Sequence, residues 1–593
     1  MYTKTLRPEV MRTMLPADFP ADRLSPARYA MTVEKDVMIP MRDGVLIAAN
    51  IYRPDAPGVF PALHAADSYQ KDMVDLVPTL PMFHCVEVND IEWFVSRGYV
   101  FVHTDSRGTG HSLQGQWQFW SAEEQTDLYD MIEWIADQDF CSGKVGMLGE
   151  SLLAWVQWFA ACQQPPHLTC ILPWDAGADM YRDVAWHGGM MSVGFPTAWH
   201  MWEIRGHYRL GVPARFDSAP ENPDMGRWDL VWNVMNHPTY DEFWKLRNPD
   251  FARIKVPVFT VGALHKVGLH LRGVVRAYEE LATPKKMMLV HGDLDGDEMA
   301  IYNSPEMRLL MLRWYDHWLK GNDTGFMDEA PVTVFVRGAG VYRREADWPI
   351  PRTDYRRLYL HPGPSGAVES LNDGTLSWEP PSAAASSFTY SYPDPDWTHF
   401  SGGGTAAIDD GIVHATRRIP TFVSAPLPED LEVSGNIVLV LYASSDQTNT
   451  DFFCRLVDQA PDGEQAPGMP PKGHILTRGW LKASHAATKS EELSKPYRPY
   501  YLHDRPRHIE PGRIQRFEIE VWPTCNVFKK GHRIRVDIAC GDSPALDFGG
   551  HYYGVKVGSD TYYHEKDHPS HLVLPVIPAV LSDAVMSDTA TRV

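Results

Sequence analysis

The chain has 593 residues, of which 44% are hydrophobic and 22% are charged, and its formal net charge is −21 at pH 7. A chain of this length exceeds what one hydrophobic core can hold, so we expect several domains. The composition is typical of a globular protein, and the negative charge argues against nucleic-acid binding, which needs a positive surface.

The sequence shows no targeting or membrane segment. The first thirty residues interrupt any apolar run with charges and prolines, so they do not predict a signal peptide. No stretch approaches the roughly 18 consecutive apolar residues of a membrane-spanning helix. The seven cysteines are scattered without a CxxC pair, which favours reduced thiols over a disulfide framework or a zinc site. We therefore expect a cytoplasmic protein that binds neither membrane nor nucleic acid.

The N-terminal half alternates strands and helices. Apolar runs at 99–103, 145–148, 258–261 and 287–290 predict buried parallel strands. Between the first two runs, the segment 123–138 places apolar residues at i, i+3, i+4 and i+7, which is the spacing of one helix face. This alternation predicts a mostly parallel sheet that is covered by helices on both sides.

The segment 166–250 interrupts this alternation. The β pattern disappears there, and the segment holds seven of the chain's 20 tryptophans. We predict an inserted helical cap whose aromatic side chains line an apolar pocket, although tryptophans that only pack the cap onto the sheet give the same pattern. The sheet domain then comprises 1–165 and 251–328.

The pattern changes again over 329–593. Short strands, such as 332–336, 437–442, 516–521 and 533–538, are separated by turns rich in proline and glycine. Helical periodicity is weak throughout this part of the sequence. We therefore predict a C-terminal β-sandwich of the jelly-roll kind.

A serine turn follows the strand predicted at 145–148. The run Gly146-Met-Leu-Gly149-Glu150-Ser151-Leu152-Leu153 passes from this strand into a predicted helix. On such a turn the serine hydroxyl lies at the edge of the sheet, and the helix N-terminus favours developing negative charge. Leu153 stands where the GxSxG pattern has its second glycine, so the run alone also fits a serine that only caps a helix. Ser151 is the candidate nucleophile.

Several other segments support an enzyme. In chain order they are Met41-Arg-Asp-Gly44, Asp67-Ser-Tyr69-Gln-Lys71, Asp105-Ser-Arg107-Gly108-Thr-Gly110-His-Ser112, Gly479-Trp480-Leu-Lys-Ala-Ser484-His485, Gly531-His532-Arg533 and Ser543-Pro544. Together with the serine turn, their order resembles the cocaine esterase and X-prolyl dipeptidyl aminopeptidase family of α/β hydrolases. The resemblance covers nearly the whole chain. It implies an α/β-hydrolase fold with a cap and a C-terminal jelly roll, and the hydrolysis of ester or amide bonds.

The resemblance also implies an oxyanion hole. Tyr69 matches the family's tyrosine whose hydroxyl helps to bind the tetrahedral oxyanion, and the second donor would be the backbone N–H of Leu152. Each donor aimed at the developing charge can contribute about 10²–10³ in rate. We therefore predict catalytic roles for Ser151, Tyr69 and Leu152.

The other triad positions depart from the family. The chain has His265 where the family has the triad aspartate, and it has a leucine or Asp295 where the family has the triad histidine. Since a triad is defined by geometry rather than by chain order, the two partners can have exchanged places. In this first interpretation His265 takes the proton of Ser151, and Asp295 or Asp293 orients its ring.

Two further interpretations stay open. In one, His291 or His270 serves as the base from a shifted loop. In the other, the serine is not activated, because a serine hydroxyl without a neighbouring base is a weak nucleophile. The pocket would then catalyse C–C bond cleavage, decarboxylation or ring closure, or would only bind a ligand.

We predict a serine hydrolase that cleaves an ester or amide of a small, partly apolar acyl substrate through an acyl-enzyme on Ser151. No cofactor is implied, and the acidic turn at 293–298 lacks the residue spacing of a calcium loop, so we predict no metal. The expected partner is a small-molecule substrate, and a homo-oligomer is left open. The alternatives are a lyase, decarboxylase or cyclase with the same pocket, and a binding protein with a relic hydrolase site.

Overall fold

A computed structural model of the protein describes residues 8–75, 87–204, 228–291, 297–365, 374–392, 420–461, 474–541, 550–551 and 557–578. The strands among these residues form two large sheets, of ten and eleven strands, and one sheet of two strands. The core of the first large sheet extends to Trp480 and Trp522 of the C-terminal part. A second core fills the C-terminal part itself.

The first large sheet is mostly parallel. The strands of this part of the chain are β1 (Met31–Pro40), β2 (Leu46–Pro54), β3 (Phe60–Asp67), β4 (Val100–Asp105), β5 (Cys141–Glu150), β6 (Leu168–Trp174), β7 (Trp186–His187), β8 (Met190–Met191), β9 (Val258–Ala263), β10 (Lys285–Val290), β11 (Val332–Val336) and β12 (Val341–Glu345). The order in the sheet is β1-β2-β4-β3-β5-β6-β9-β10-β11-β12, and β7 pairs with β8 separately. The pairs between β4 and β11 in this order are parallel, and the outer pairs are antiparallel.

The α-helices of the described residues either cover the sheet or belong to the cap. They are α1 (Pro8–Arg12), α2 (Ile91–Val95), α3 (Ala122–Ala136), α4 (Leu152–Gln163), α5 (Gly194–Ala198), α6 (Leu230–Asn236), α7 (Glu242–Leu246), α8 (Leu271–Glu280), α9 (Asp297–Tyr302) and α10 (Pro305–Tyr315). Helices α3 and α4 pack against β5, and α8 packs against β9. Every residue of β4 and β9 is buried. Both strands are therefore rich in apolar residues without an alternating pattern, although β4 ends in the buried polar residues His103, Thr104 and Asp105.

Two predicted domain boundaries need correction. Strand β6 lies inside 166–250, which we predicted to be the cap, yet it pairs with β5 and β9 in the middle of the sheet. Strand β11, which we assigned to the C-terminal sandwich, pairs in parallel with β10. The sheet domain therefore includes β6 and extends through β12. A short apolar run predicts a strand, but it does not show which sheet that strand joins.

The described part of the cap follows β6. It contains α5, α6 and α7, two π-helical turns at Tyr181–Ala185 and Trp199–Ile204, and the β7–β8 hairpin. Helical turns predominate, as the sequence predicts. Trp244 is fully buried, whereas Trp232 is exposed. The cap tryptophans therefore do not share one role.

The C-terminal domain is rich in β-structure, as predicted. Its strands are β13 (Asp354–Pro362), β14 (Gly374–Ser377), β15 (Ser387–Tyr392), β16 (Thr421–Ser424), β17 (Leu431–Ser445), β18 (Asp451–Gln459), β19 (His474–Lys482), β20 (Gln515–Phe528), β21 (Arg533–Ala539), β22 (Gly558–Tyr563) and β23 (His571–Ile577). Strand β23 pairs with both β13 and β17, so the sheet closes on itself. The predicted signature Ser543-Pro544 lies outside the described residues.

Backbone hydrogen bonds join the C-terminal domain to the rest of the chain. Arg337 exchanges two of them with β20, through Cys525 and Val527, at 3.0 and 2.9 Å. The N–H of Lys482 donates to the carbonyl of Gly188 in the cap at 2.9 Å. The β domain therefore holds the cap in place over the sheet. Within the described ranges, no helix combines the length and apolarity needed to cross a bilayer.

Candidate active site

Ser151 lies on the tight turn between β5 and α4. Its backbone has φ 53° and ψ −115°, a conformation that residues other than glycine rarely adopt. Such a conformation costs about 1–3 kcal/mol and persists only where the surrounding structure enforces it. Here the N–H of Ser151 donates to the carbonyl of Trp174 at 2.9 Å, which ties the turn to the neighbouring strand β6.

Gly149 explains the incomplete serine motif. Its φ is +141°, and a Cβ added there would lie 2.4 Å from the Cβ of Leu153. The first glycine of the motif is therefore required, because the side chain of Leu153 fills the space beside it. Leu153, at the second glycine position of the GxSxG pattern, therefore packs against the turn and is compatible with it.

The imidazole of His270 lies beside the Ser151 hydroxyl. Its Nε2 atom lies 3.3 Å from Ser151 Oγ. His270 directly precedes α8, in the loop that follows β9. Because α8 packs against β9, and β9 is two strands from β5, this loop and the serine turn meet at the same edge of the sheet.

This geometry corrects the assignment of His265. The side chain of Ser151 makes its hydrogen bond with His270, which was one of the two histidines left open as alternatives, and not with His265. The N–H groups of both Leu269 and His270 lie within 3.4 Å of the carbonyl of Lys266, so the loop turns tightly between the two histidines. This turn brings the second histidine to the hydroxyl.

The remaining predicted partners lie elsewhere or outside the described residues. The ring of His291, the other alternative, is buried against Phe335, with 4.8 Å between ring centroids. Asp293 and Asp295 fall within 292–296, outside the described residues. The proposed orientation of a histidine by either aspartate therefore stays a prediction.

Trp155 contacts the far side of the His270 ring. Its indole Nε1 lies 3.4 Å from His270 Nδ1. The indole stacks on Trp120 at 4.5 Å between ring centroids, and a Cβ added to Gly177 would lie 2.0 Å from the indole. The indole is therefore held between an aromatic ring and the backbone of a glycine. Sequence reasoning missed this contact, because a tryptophan on an apolar helix reads as an ordinary core residue.

The predicted oxyanion donors lie at the same edge of the sheet. Leu152 is the first residue of α4, where backbone N–H groups have no acceptor within the helix. Tyr69 follows β3, the neighbour of β5, and its hydroxyl oxygen accepts a hydrogen bond from the indole N–H of Trp199 at 2.8 Å. Because an indole N–H only donates, the Tyr69 O–H is itself a donor toward a further group.

Buried charges brace the Tyr69 loop. The N–H of Tyr69 donates to Asp67 at 2.6 Å, and the N–H of Lys71 donates to Asp105 at 2.7 Å. Burial raises the pKa of Asp105, and the nearby Lys71 ammonium lowers it. The effect of burial is the larger, so the pKa of Asp105 is raised to about 6. Lys71 Nζ lies 2.7 Å from Asp36 and 3.1 Å from Asp72. The loop is thus anchored to β1 and β4 as well as to its own strand.

The same cluster contains a set of atoms that could hold a metal ion. Ligand atoms of Asp36, Asp72 and His111 lie within 4.8 Å of one another. However, Asp36 Oδ1 already accepts hydrogen bonds from Lys71 Nζ at 2.7 Å and from His111 Nδ1 at 2.6 Å. Burial opposes the charge on Lys71, but Asp105 and the neighbouring carboxylates outweigh it and raise the pKa of the ammonium. A protonated lysine therefore occupies the position that a cation would take.

The pocket above Ser151 is apolar and aromatic. It encloses about 370 Å³, including open solvent at its mouth. Its lining residues are Phe119, Trp120, Ser151, Leu152, Trp155, Met180, Val184, Phe195, Pro196, Trp199, Leu230, Leu269 and His270. Among the described lining residues, His270 supplies the ionisable side chain, and the other side chains are mainly hydrocarbon. Of the aromatic residues in the cap, Phe195 and Trp199 line the pocket, as predicted.

A strained serine beside a histidine at the edge of a mostly parallel sheet, below an apolar pocket, defines a serine hydrolase of the α/β-hydrolase class. The sequence model for the X-Pro dipeptidyl-peptidase (S15) family matches residues 43–293, and the model for the X-Pro dipeptidyl-peptidase C-terminal non-catalytic domain matches residues 324–573. Both matches agree with the family that the sequence resembles, and the chain is a hydrolase.

Relatives of known name agree with this assignment. Cocaine esterase of Rhodococcus sp. (strain MB1 Bresler) is 29% identical over 92% of this chain and 99% of its own length. A CocE/NonD family hydrolase from Staphylococcus aureus has a solved structure that is 28% identical, covers 92% of this chain and 94% of its own, and has a TM-score of 0.76. The structure of an α-amino acid ester hydrolase shares the fold, with a TM-score of 0.70, 19% identity and coverage of 93% and 97% of the two chains.

Proposed function

We propose that the enzyme hydrolyses esters of neutral, apolar acyl groups, with Ser151 as nucleophile and His270 as general base. The observation that carries this proposal is the 3.3 Å separation of Ser151 Oγ and His270 Nε2 at the floor of an aromatic pocket. This distance is within the looser range expected of a catalytic hydrogen bond when no ligand is bound.

The reaction follows from the position of each group. Ser151 Oγ attacks the ester carbonyl while His270 Nε2 takes its proton, and His270 then gives that proton to the leaving alkoxide. The backbone N–H of Leu152 and the hydroxyl of Tyr69 stabilise the oxyanion of the tetrahedral intermediate. Water, deprotonated by the same imidazole, then releases the acid and restores the serine.

The pocket lining supports a neutral acyl group. A dipeptide substrate with a free amino terminus brings a buried ammonium, which needs a carboxylate close by. The described lining residues include no aspartate or glutamate. Of the activities named among the relatives, this composition favours ester hydrolysis, as in the name cocaine esterase, over removal of an X-Pro dipeptide.

A paired substrate test distinguishes these activities. We expect the purified enzyme to hydrolyse nitrophenyl esters of benzoic and butyric acid and to leave Gly-Pro-nitroanilide intact. Hydrolysis in water labelled with heavy oxygen should place one solvent oxygen in the carboxylic acid product. Preferential cleavage of the anilide would reject the substrate class, and a product without solvent oxygen would favour the lyase or cyclase alternative.

Loss of activity in Ser151→Ala and His270→Ala tests the assigned residues. We expect the turnover number to fall by up to about 10⁶ in each variant, since a nucleophile and its base act as a unit. Retention of near wild-type turnover in either variant would reject the mechanism, provided that thermal unfolding shows an intact fold.

A further inference from the structure

We propose that Arg272 and Glu520 are positioning residues through which the C-terminal domain holds His270 beside Ser151. Arg272 lies two residues after His270, in the first turn of α8. Its Nε donates to both carboxylate oxygens of Glu520, at 2.9 and 3.0 Å. Glu520 belongs to β20, so an ion pair joins the C-terminal domain to the helix turn that follows the proposed base. The inference rests on the proposed function, because it takes His270 as the base that acts on Ser151.

The same guanidinium also reaches the cap. Arg272 Nη1 donates to Asp183 Oδ1 at 2.8 Å. The other carboxylate oxygen of Asp183 accepts the backbone N–H groups of Ala178 and Asp179, at 2.8 and 2.9 Å. Asp183 is therefore fixed within the chain segment that enters the cap. Arg272 thus connects α8 to the cap on one side and to the C-terminal domain on the other.

These ion pairs are largely buried. The side chains of Arg272 and Asp183 are 3% and 0% exposed, and that of Glu520 is 16% exposed. Burial opposes the charge on Arg272, but the carboxylates of Glu520, Asp183 and Asp179 outweigh it and raise the pKa of the guanidinium. Arg272 therefore stays charged in the folded protein. Because separating a buried pair leaves a desolvated charge, the pairs resist displacement of the helix turn.

Close packing further restricts the first turn of α8. A Cβ added to Gly273 would lie 2.1 Å from the backbone nitrogen of Ala178. The N–H of Val274 donates to the carbonyl of His270 at 3.1 Å, so the backbone of His270 belongs to this turn. A shift of the turn would therefore move the imidazole away from Ser151 Oγ, which lies 3.3 Å from Nε2. A misplacement of about 1 Å can cost about 10²-fold in rate.

The two charged side chains lie apart from the pocket above Ser151. Neither Arg272 nor Glu520 is among the described residues that line it. They line instead a second cavity between the cap, α8 and the C-terminal domain, together with Trp480 and Trp522. Loss of the ion pair should therefore lower kcat and leave KM nearly unchanged.

Steady-state kinetics of Glu520→Ala tests the proposal. We expect kcat for a nitrophenyl ester to fall by about tenfold, with KM within about twofold of the wild-type value. In one control, Glu279→Ala removes the 3.0 Å ion pair with Arg498 that joins the last turn of α8 to the C-terminal domain. In the other, Glu518→Ala removes a carboxylate of β20 that pairs with Lys489 at 2.9 Å.

Both controls should keep kcat within about twofold of the wild type, because neither carboxylate contacts the first turn of α8. An equal fall of kcat in Glu279→Ala and Glu520→Ala would overturn the proposal, since general loosening of the domain interface would then explain both. Thermal unfolding of each variant shows whether the fold is intact. If Glu520→Ala does not fold, Glu520→Gln keeps the shape of the side chain but removes its charge, and kcat should fall by about threefold.

A double-mutant comparison shows whether Glu520 acts through His270. In Glu520→Ala, the rate at which a fluorophosphonate labels Ser151 should fall by about tenfold. In the His270→Ala background, the same substitution should change the rate by less than about twofold, because the imidazole is already absent. An effect of equal size in both backgrounds would overturn the proposal.

Failure of this inference can be distinguished from failure of the proposed function. Wild-type kcat in folded Glu520→Ala, together with loss of turnover in His270→Ala, would reject the positioning role alone. Hydrolysis that persists at the wild-type rate in His270→Ala would reject His270 as the base, and with it any role of Glu520 through that residue.

Discussion

The indole of Trp199 donates a hydrogen bond of 2.8 Å to the hydroxyl of Tyr69. Trp199 belongs to the cap and Tyr69 to the loop after β3, so the bond links the cap to the proposed oxyanion donor. The two rings also meet edge to face, with 6.3 Å between centroids. The cap therefore fixes the position of the proposed oxyanion donor in the sheet domain.

Removing the Tyr69 hydroxyl should lower the turnover number. In Tyr69→Phe we expect kcat to fall by about 10²–10³ with KM nearly unchanged, because an oxyanion donor acts mainly in the transition state. Trp199→Phe keeps the hydroxyl but loses its indole partner, so a smaller decrease in kcat is expected. Steady-state kinetics on a nitrophenyl ester measures both. If Tyr69→Phe instead raised KM by a similar factor and left kcat unchanged, Tyr69 would be assigned to substrate binding.

The aromatic wall should determine affinity for the acyl group. Phe195 is half-buried, lines the pocket and packs against Trp199. We expect Phe195→Ala to raise KM for a benzoyl ester by about tenfold, since it removes apolar contact worth roughly 1.5 kcal/mol or more. Phe243→Ala is the matched control, because Phe243 is also half-buried in the cap but is not part of the pocket lining. Equal changes in KM in both variants would argue against a direct contact with substrate.

Lys71, in the loop that carries Tyr69, should contribute strongly to the stability of the fold. It is buried and pairs with the partly exposed Asp36 and with the buried Asp72 and Asp105, so Lys71→Met leaves two buried carboxylates without this cation. We expect the free energy of unfolding to fall by about 3–5 kcal/mol in chemical denaturation. Lys35→Met is the control, because Lys35 is partly exposed and lies 3.7 Å from Asp72; a change within about 1 kcal/mol is expected. Equal effects of the two substitutions would contradict the importance of burial.

Two histidine pairs at the cap and in the C-terminal domain should make the fold sensitive to acid. His187 and His551 lie 2.7 Å apart, and His485 and His503 lie 2.8 Å apart, measured between ring nitrogens. Burial lowers the pKa of His187 to about 3 and that of His485 to about 4, and holds the pKa of His503 well below its usual value. The rings of His187, His485 and His503 therefore stay neutral in the folded protein while the unfolded chain takes up protons.

The sign of the pH effect follows from that difference. Since the unfolded rings titrate near pH 6.5, stability is complete above this pH and falls as the pH decreases toward the folded-state values. Each such histidine should cost up to about 1.4 kcal/mol per pH unit in this window. Urea unfolding at several pH values measures the slope, and His485→Gln should reduce it by about one proton. An identical slope in the variant would show that His485 does not contribute.

The sequence predicts the fold and the position of the serine turn because both leave local patterns. Buried parallel strands such as β9 have continuous apolar sequences, and Ser151 lies between a strand and a helix with Gly149 two residues before it. By contrast, β6 and β11 are short runs whose sheet partners depend on long-range pairing. Their place in the first sheet could not be predicted from periodicity.

The choice of histidine could not be predicted for a different reason. His265 and His270 lie in one loop, and the turn around the Lys266 carbonyl decides which of them meets Ser151. No local pattern marks such a turn. The contact of Trp155 with His270 likewise joins a helix to a loop 115 residues further along the chain. Only the assembled fold shows that the two side chains meet.

Labelling with a fluorophosphonate, followed by intact-mass measurement, tests most directly whether His270 activates Ser151. We predict one label per chain in the wild-type enzyme and in His265→Ala, none in Ser151→Ala, and a labelling rate lower by at least about 10³ in His270→Ala. Fast labelling of His270→Ala together with loss of labelling in His265→Ala would contradict the assignment of His270 as the base.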